Sequence, residues 1–273
     1  MTMQMSAKLT QWVAHKAETG TSELQQRFAR IAWATNAALA IWLGRLRGQT
    51  SHLSRAFSAM PLTSGKLSPS SLKNLQAAIF SASAAEFKAS DHATGYVFNP
   101  DAKAIAKIFE SGYRFRRIEA PQLRAMTNLM SELGPSITTH VGGGWKVINL
   151  KSWSVRSDTV QHGPNAWHLD GFPVGTFKLM VYLTPIGPAT GTTEVRFADG
   201  SSQILEGEAG TYLLFDPSVL WHRGVAPTDA GVERTHIEIT IMRAPTIDLS
   251  LVEGGLNSAF PRLPWTRRPI RTV

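Results

Sequence analysis

The chain contains no cysteine among its 273 residues. Disulfide cross-links are therefore excluded, and so are zinc and iron–sulfur sites that depend on thiolate ligands. Any metal that this protein binds must be held by nitrogen and oxygen atoms, which histidine and carboxylate side chains supply. The lack of cysteine leaves the compartment open, because disulfide usage is the feature that would have indicated it.

Acidic residues are comparatively scarce, with 20 Asp and Glu against 28 Lys and Arg, and the formal net charge is +8. An excess of positive charge favours anionic partners without identifying one. Phosphorylated metabolites, acidic lipid surfaces and nucleic acid all qualify at this point.

Long hydrophobic runs are also missing. The longest, Ile31 to Leu43, is interrupted by Thr35 and Asn36 and is shorter than the ~20 residues that a membrane-spanning helix needs. Because arginines flank it and two tryptophans lie within it, a helix on a membrane surface is the alternative to a helix packed on the protein's own core. The packed helix is favoured. The polar residues from Met1 to Leu9 do not form a secretory signal, so we expect a cytoplasmic location.

The length and the 43% apolar content suit one large domain with an extension. A stretch rich in Ser, Pro and Gly from Ser51 to Ser71 predicts a loop, which we take as the boundary. We therefore divide the chain into a helical N-terminal extension and linker (1–70), a unit of covering helices and a β-barrel (71–250), and a basic C-terminal tail (251–273).

Helical patterns precede the strands along the chain. Capping residues, prolines in first turns and terminal glycines predict four helices. The first runs from Thr21 or Ser22 to Gly44 or Gly48, and the others are Leu72 to Phe87, Asn99 to Gly112 and Pro121 to Gly134. Past Gly144 the pattern changes to short strands, which are Lys146–Val155, Lys178–Leu183, Thr192–Phe197, Gln203–Glu206, Thr211–Phe215 and Arg234–Arg243.

Two local signals refine this β-rich half. Asp199-Gly200 predicts a hairpin, since glycine tolerates the positive φ of a tight turn. The last strand alternates, with a polar face that includes Arg234, His236 and Glu238 and an apolar face of isoleucines. The polar face should line a cavity and the apolar face should pack under helices.

The motif Trp-His-Leu-Asp-Gly-Phe carries the chemistry. In an extended segment His168 and Asp170 point the same way, and His222 follows 54 positions after His168. Two imidazoles and one carboxylate suit iron(II) with positions left open for oxygen chemistry. Twelve residues past His222, Arg234 could hold a carboxylate by two parallel hydrogen bonds. An ordinary ion pair of Arg234 with Glu238 or Asp229 is the plain alternative.

This set resembles the HxD…H…R signature of the iron(II)- and 2-oxoglutarate-dependent dioxygenases. The strands Lys178–Leu183 and Gly210–Phe215, the latter leading into Trp-His-Arg-Gly, are similar to the phytanoyl-CoA dioxygenase-like branch, whereas Gly191–Phe197 resembles the prolyl-hydroxylase-like branch. The resemblance covers about Gly112 to Ala244. It implies an α+β fold, a double-stranded β-helix (a jelly-roll, cupin-like barrel) flanked by helices, here with an α-helical N-terminal extension.

The resemblance also implies roles. His168, Asp170 and His222 would bind the metal, and Arg234 would pair with the far carboxylate of 2-oxoglutarate. Tyr182 and His236 are further candidates for contacting that carboxylate, with a polar barrel-lining role as the alternative. Iron(II), the co-substrate 2-oxoglutarate and O₂ would be required, with ascorbate as a stimulating reductant. The products from 2-oxoglutarate would be succinate and CO₂.

Comparison with individual branches of the family narrows the range of expected reactions and substrates. Halogenating relatives lack the carboxylate, but Asp170 is intact. Nucleic-acid demethylases carry a second arginine six positions after the first, where this chain has Thr240, so nucleic acid is disfavoured as a substrate. The leading hypothesis is hydroxylation of a small, anionic, acidic or phosphorylated molecule, to which Lys146, Arg156 and Lys178 could contribute positive charge. A peptide or protein hydroxylase and a non-enzymatic cupin-like binding protein are the alternatives.

Overall fold

The computed structural model describes residues 62–85, 113–157, 165–170 and 176–243, together with Thr35, Trp42 and Leu46, which are helical and exposed. The rest of the N-terminal extension, the helix predicted between Asn99 and Gly112 and the basic tail lie outside the described residues. None of the described helices is both long and apolar enough to cross a membrane.

The described ranges hold ten strands and two longer helices, which follow one another along the chain. They are β1 (Leu62–Lys66), α1 (Pro69–Phe80), β2 (Ala84–Ala85), β3 (Tyr113–Arg116), α2 (Ala120–Val141), β4 (Trp145–Arg156), β5 (Thr176–Tyr182), β6 (Thr192–Arg196), β7 (Ser202–Ile204), β8 (Thr211–Phe215), β9 (Trp221–Val225) and β10 (Glu233–Arg243).

The strands form two antiparallel sheets. The larger has the order β1-β8-β5-β10-β4-β3-β2, and the smaller has the order β7-β6-β9. From β5 onward the chain passes from the large sheet to the small one and back twice, which is how a jelly roll is wound. The described residues are thus mostly antiparallel sheet with two helices, consistent with the jelly-roll barrel that the sequence predicts. The helical extension stays a prediction.

Two cores hold the layers together. The apolar face of β10, with Ile237, Ile239 and Ile241, joins a buried cluster that includes Leu129 and Ile137 of α2. A second cluster lies between the two sheets and takes side chains from β5, β6 and β8. Because side chains alternate along a strand, packing β10 against the helices turns its polar face toward the space between the sheets, as predicted.

Helix α2 continues past its predicted end at Gly134. It begins after a capping box between Glu119 and Gln122 and ends where Gly142 adopts a left-handed φ of 73°. Gly134 and Pro135 lie inside it, because the apolar spacing continues through Leu133 and Ile137, both buried. Burial of that stripe outweighs the unfavourable intrinsic preference of these two residues. Helix α1 is shorter than predicted and ends at Phe80.

Strand β1 corrects the prediction of a loop from Ser51 to Ser71. Its sequence, Leu-Thr-Ser-Gly-Lys, has no apolar alternation, yet it pairs along its whole length with β8 at the edge of the large sheet. Gly65 is required there, since a Cβ would lie 2.5 Å from the hydroxyl oxygen of Tyr212. The sheet therefore starts before residue 70, while the division of the chain into three segments remains a prediction.

The predicted hairpin at Asp199-Gly200 is confirmed. It joins β6 to β7, which pair in antiparallel register, and Gly200 has a φ of 86°. The Asp199 carboxylate accepts hydrogen bonds from the backbone N–H and the hydroxyl of Ser201, at 2.9 and 2.6 Å. The turn is thus stabilised by its own side chain.

Candidate metal centre

Backbone pairing places the two histidines of the motif side by side. His168 and His222 form an isolated antiparallel bridge, with N–H to O distances of 3.0 and 3.1 Å in the two directions. Their rings lie 4.3 Å apart. The backbone N–H of Asp170 donates to the carbonyl of Pro217 at 2.8 Å, which fixes the carboxylate beside the pair. Residues 54 positions apart are thereby brought to one point of the barrel.

The three side chains present donor atoms to a common position. Asp170 Oδ1 lies 3.5 Å from His168 Nε2 and 3.8 Å from His222 Nε2. All of the candidate ligand atoms lie within 4.8 Å of one another. His222 and Asp170 are buried, and His168 is partly exposed. Such an arrangement occupies one face of a metal ion and leaves the opposite face open.

Hydrogen bonds set the tautomer of both imidazoles. His168 Nδ1 lies 2.8 Å from the carbonyl oxygen of Ala166, and His222 Nδ1 lies 2.9 Å from that of Leu220. A carbonyl oxygen only accepts, so Nδ1 carries a proton in both rings, and Nε2 is the nitrogen left to bind a metal. Burial, with the nearby Lys178 ammonium, lowers the pKa of His222 to about 3. His222 is therefore neutral near pH 7, the state in which imidazole binds metals.

A lysine completes the charge pattern around Asp170. Lys178 Nζ lies 2.6 Å from Asp170 Oδ2 and 3.8 Å from Glu238 Oε2. Burial opposes ionisation of Asp170, but Lys178 and the two imidazoles outweigh it, so the pKa of Asp170 lies well below its usual range. Burial likewise opposes the charge of Lys178, but the two carboxylates raise its pKa. The Asp170 carboxylate thus already has a cationic neighbour.

Arg234 and His236 lie on the same face of β10, and both are buried. Arg234 Nη1 donates to the backbone carbonyls of Thr192 and Val225, the latter at 3.0 Å. In the described part of the chain, neither Glu238 nor Asp229 pairs with Arg234, so the alternative of an ordinary ion pair is wrong. Among the residues that the structure describes, Arg234 Nε has no hydrogen-bond partner.

His236 is in the same situation. Neither of its ring nitrogens has a partner among the described residues, and its ring packs edge-on against Trp153 with centroids 4.4 Å apart. Burial and the nearby Arg234 guanidinium hold the pKa of His236 well below its usual range. Unsatisfied polar atoms in a buried position are costly. An anion bound beside Arg234 could accept hydrogen bonds from these unpaired nitrogens.

One cavity joins the two clusters. It encloses about 400 Å³, including the part open to solvent, and its lining contains His168, His222, Arg234 and His236. A ligand in it can therefore contact both the metal donors and the guanidinium. Trp153, Phe215 and Met180 supply apolar wall, and His222 packs edge-on against Phe215 at 4.9 Å.

Tyr182 contacts a residue of the cavity wall, whereas the sequence predicts that it contacts the ligand itself. The described residues that line the cavity do not include it, and its hydroxyl donates to Thr193 Oγ1 at 2.6 Å. Thr193 does line the cavity, so Tyr182 orients a wall residue. A direct contact of Tyr182 with a cofactor stays a prediction.

Several lining residues were not singled out from the sequence as ligand contacts, namely Tyr113, Asn165, Thr193, Phe215 and Glu238. Glu238 could have been found, because it alternates with Arg234 and His236. Of the three basic residues proposed to add positive charge, Lys178 lines the cavity, whereas the described lining includes neither Lys146 nor Arg156.

Solved structures with a similar fold include HygX from Streptomyces hygroscopicus with nickel, 2-oxoglutarate and hygromycin B bound (TM-score 0.48, 12% identity, 71% of this chain and 87% of that one). Others are the non-heme alpha-ketoglutarate-dependent epimerase SnoN from nogalamycin biosynthesis (0.47, 11%, 70% and 81%) and a Pseudomonas putida prolyl-4-hydroxylase (0.43, 17%, 68% and 95%). No protein family profile matches the sequence. No curated protein matches it.

Proposed function

We propose that the protein is an iron(II)- and 2-oxoglutarate-dependent oxygenase that hydroxylates a small, anionic molecule. One observation carries the proposal. The cavity lined by His168 and His222, which lie beside Asp170, is also lined by Arg234 and His236. Among the described residues, Arg234 Nε and both ring nitrogens of His236 lack hydrogen-bond partners. A metal at one end and an anion at the other account for both features.

The donor set fits iron(II). Two imidazoles and one carboxylate form the three-ligand face typical of non-heme iron oxygenases. When bound, the metal supplies positions for 2-oxoglutarate and O₂ and the redox chemistry that couples loss of CO₂ to oxidation of a substrate. We therefore propose that His168, Asp170 and His222 are the metal ligands.

Arg234 and His236 would hold the far carboxylate of 2-oxoglutarate. The guanidinium is fixed by its two backbone acceptors, so its Nε–H is oriented in advance and little side-chain entropy is lost on binding. His236 can present one N–H as a second donor. The positive charge in a buried setting favours a carboxylate over a neutral group.

Several features support an anionic substrate. The chain has an excess of positive charge, and Arg223 lines the same cavity next to His222. Arg223 is held by Glu194, with Nη2 to Oε2 at 2.6 Å, so its guanidinium has a defined position. Hydroxylation is proposed over halogenation because Asp170 occupies the carboxylate position of the motif. A cytoplasmic location stays a prediction of the sequence.

Succinate release tests the proposal. The full chain, supplied with iron(II), ascorbate and 2-oxoglutarate, should release succinate, and acidic or phosphorylated metabolites should stimulate release more than their neutral analogues. His168→Ala should abolish release. His140→Gln, which replaces a histidine outside the cavity, should retain it. Metal binding without succinate formation under any condition would contradict the proposal and favour a cupin-like binding protein.

A further inference from the structure

We propose that Lys178 is an internal cation that competes with the divalent metal for its ligands, and that Glu238 receives the lysine ammonium when the metal binds. The inference rests on the metal site of the proposed function, but it concerns metal affinity and not turnover. It assigns a role to two buried charged residues, Lys178 and Glu238, that the proposed chemistry does not use.

The ammonium contacts two of the three donor groups. Lys178 Nζ lies 2.6 Å from Asp170 Oδ2 and donates to His222 Nε2 at 3.4 Å. Because His222 Nδ1 bonds to the Leu220 carbonyl, Nε2 carries the lone pair that a metal would need. Lys178 therefore interacts with the same imidazole lone pair and the same carboxylate charge that a bound metal would need.

The two cations cannot both hold these positions. A divalent metal bound to Asp170 and His222 would lie within a few ångströms of Lys178 Nζ, where repulsion in a buried site is strong. The lone pair of His222 Nε2 also cannot serve two partners. Metal binding must therefore displace the ammonium at least from His222.

Glu238 provides the place to which the ammonium can move. Its Oε2 is 3.8 Å from Lys178 Nζ, while its Oε1 is held by Lys151 at 2.8 Å. Lys151 also packs over the ring of Trp153, 4.6 Å from its centroid, so the ammonium that pairs with Glu238 Oε1 has a defined position. A lysine side chain is flexible enough to turn from one carboxylate to another.

Affinity for Mn²⁺ should reveal the competition. Isothermal titration calorimetry on the full chain without 2-oxoglutarate should show that Lys178→Met tightens binding by about tenfold or more, because the repelling charge is gone. Lys178→Gln keeps a donor for Asp170 but removes the charge, and it should tighten binding too. Glu238→Gln should weaken binding severalfold, but it should have little effect when combined with Lys178→Met.

A positioning role for Lys178 predicts the opposite pattern. If the lysine only holds Asp170 in place, Lys178→Met weakens Mn²⁺ binding, as loss of a residue behind a metal ligand usually does, and Lys178→Gln resembles the wild type. That result, or unchanged affinity in both variants, would overturn the inference and leave the proposed function standing. Thermal unfolding in EDTA checks that each variant folds.

Two further outcomes separate the claims. Lys151→Met removes the ammonium that pairs with Glu238 and leaves the candidate metal ligands unchanged. It should therefore tighten Mn²⁺ binding less than Lys178→Met does. An equal effect would mean that general pocket charge governs affinity and would overturn the inference. Binding by Lys178→Met but not by the wild type would support the inference and contradict the proposed enzyme, and no binding by any variant would overturn both.

Discussion

Arg234 and His236 on strand β10 have buried polar atoms without hydrogen-bond partners among the described residues. Arg234 keeps Nε unpaired, and His236 keeps both ring nitrogens unpaired. Leaving such groups unsatisfied costs about 1–3 kcal/mol each, so their persistence at one end of a cavity indicates a ligand. The sequence predicts Arg234 from its spacing to His222, but it cannot show which nitrogen is free, because that depends on the carbonyls of β6 and β9.

Replacing Arg234 should weaken 2-oxoglutarate binding while metal binding persists. Arg234→Ala removes a charge-assisted hydrogen bond, so the Kd for 2-oxoglutarate should rise by about ten- to a hundredfold. Arg234→Lys should restore only part of the affinity, since lysine lacks the planar fork. Calorimetry with the Mn²⁺-loaded protein measures both. Arg196→Lys, which changes an arginine packed on Trp167, is the control.

One result would contradict this prediction. If Arg234→Ala binds 2-oxoglutarate as tightly as the wild type, the far carboxylate does not lie at Arg234, and the assignment of the cavity's two ends is wrong.

Among the elements, strands with several apolar residues could be predicted, whereas β1 and β3 could not. Strands β4, β8 and β10 lie within about two residues of their predicted bounds because apolar residues recur along them. Strand β1 carries no apolar alternation, and β3, Tyr-Arg-Phe-Arg, alternates over only four residues. They form because β8 and β4 offer unpaired backbone groups at the sheet, which is a tertiary effect.

The turn before β6 makes a prediction at this scale. Gly191 has a φ of +79°, and a Cβ there would lie 2.7 Å from Pro227 N and 2.8 Å from the carbonyl oxygen of Val225. Gly191→Ala should therefore lower the free energy of unfolding by about 2–3 kcal/mol, combining strain and a backbone clash. Urea unfolding measures the loss.

A matched glycine isolates the clash. Gly200 has a similar φ of +86°, but a Cβ there would meet nothing within 4 Å. Gly200→Ala should cost about 1 kcal/mol. Equal losses in the two variants would show that backbone conformation alone, and not the approach of Pro227 and Val225, decides the need for glycine.

For the whole molecule, the jelly-roll winding brings distant residues together. His168 and His222 pair because the segment before β5 forms an isolated bridge to β9, the edge strand of the small sheet. The order of ligand types along the chain could therefore predict the three metal donors. The contacts of Lys178 with Asp170 and Glu238 could not be predicted. The first depends on how the segment before β5 lies against the large sheet, and the second depends on the register of β5 against β10.

Stability of the whole fold should fall at mildly acidic pH, partly through His140. This histidine of α2 hydrogen-bonds Thr63 of β1 at 2.7 Å and packs edge-on against Phe177 at 5.4 Å. Burial, with the Arg243 guanidinium, lowers its pKa from 6.5 to about 4. Between these two values the unfolded chain takes up a proton that the folded protein does not, so stability decreases as pH falls.

Replacing the histidine tests this contribution. Urea unfolding in EDTA at several pH values from 7 to about 4 should give a shallower pH dependence for His140→Gln than for the wild type. Identical slopes would mean that His140 has the same pKa in the folded and unfolded states.

The central claim is that His168, Asp170 and His222 hold iron(II) at a position where 2-oxoglutarate reaches both the metal and Arg234. Anaerobic addition of iron(II) and 2-oxoglutarate to the full chain, followed by visible absorption spectroscopy, tests it most directly. We predict a weak, broad charge-transfer band that needs both components, disappears in His168→Ala and persists in His140→Gln. No band in the wild-type protein, or an undiminished band in His168→Ala, would contradict the account.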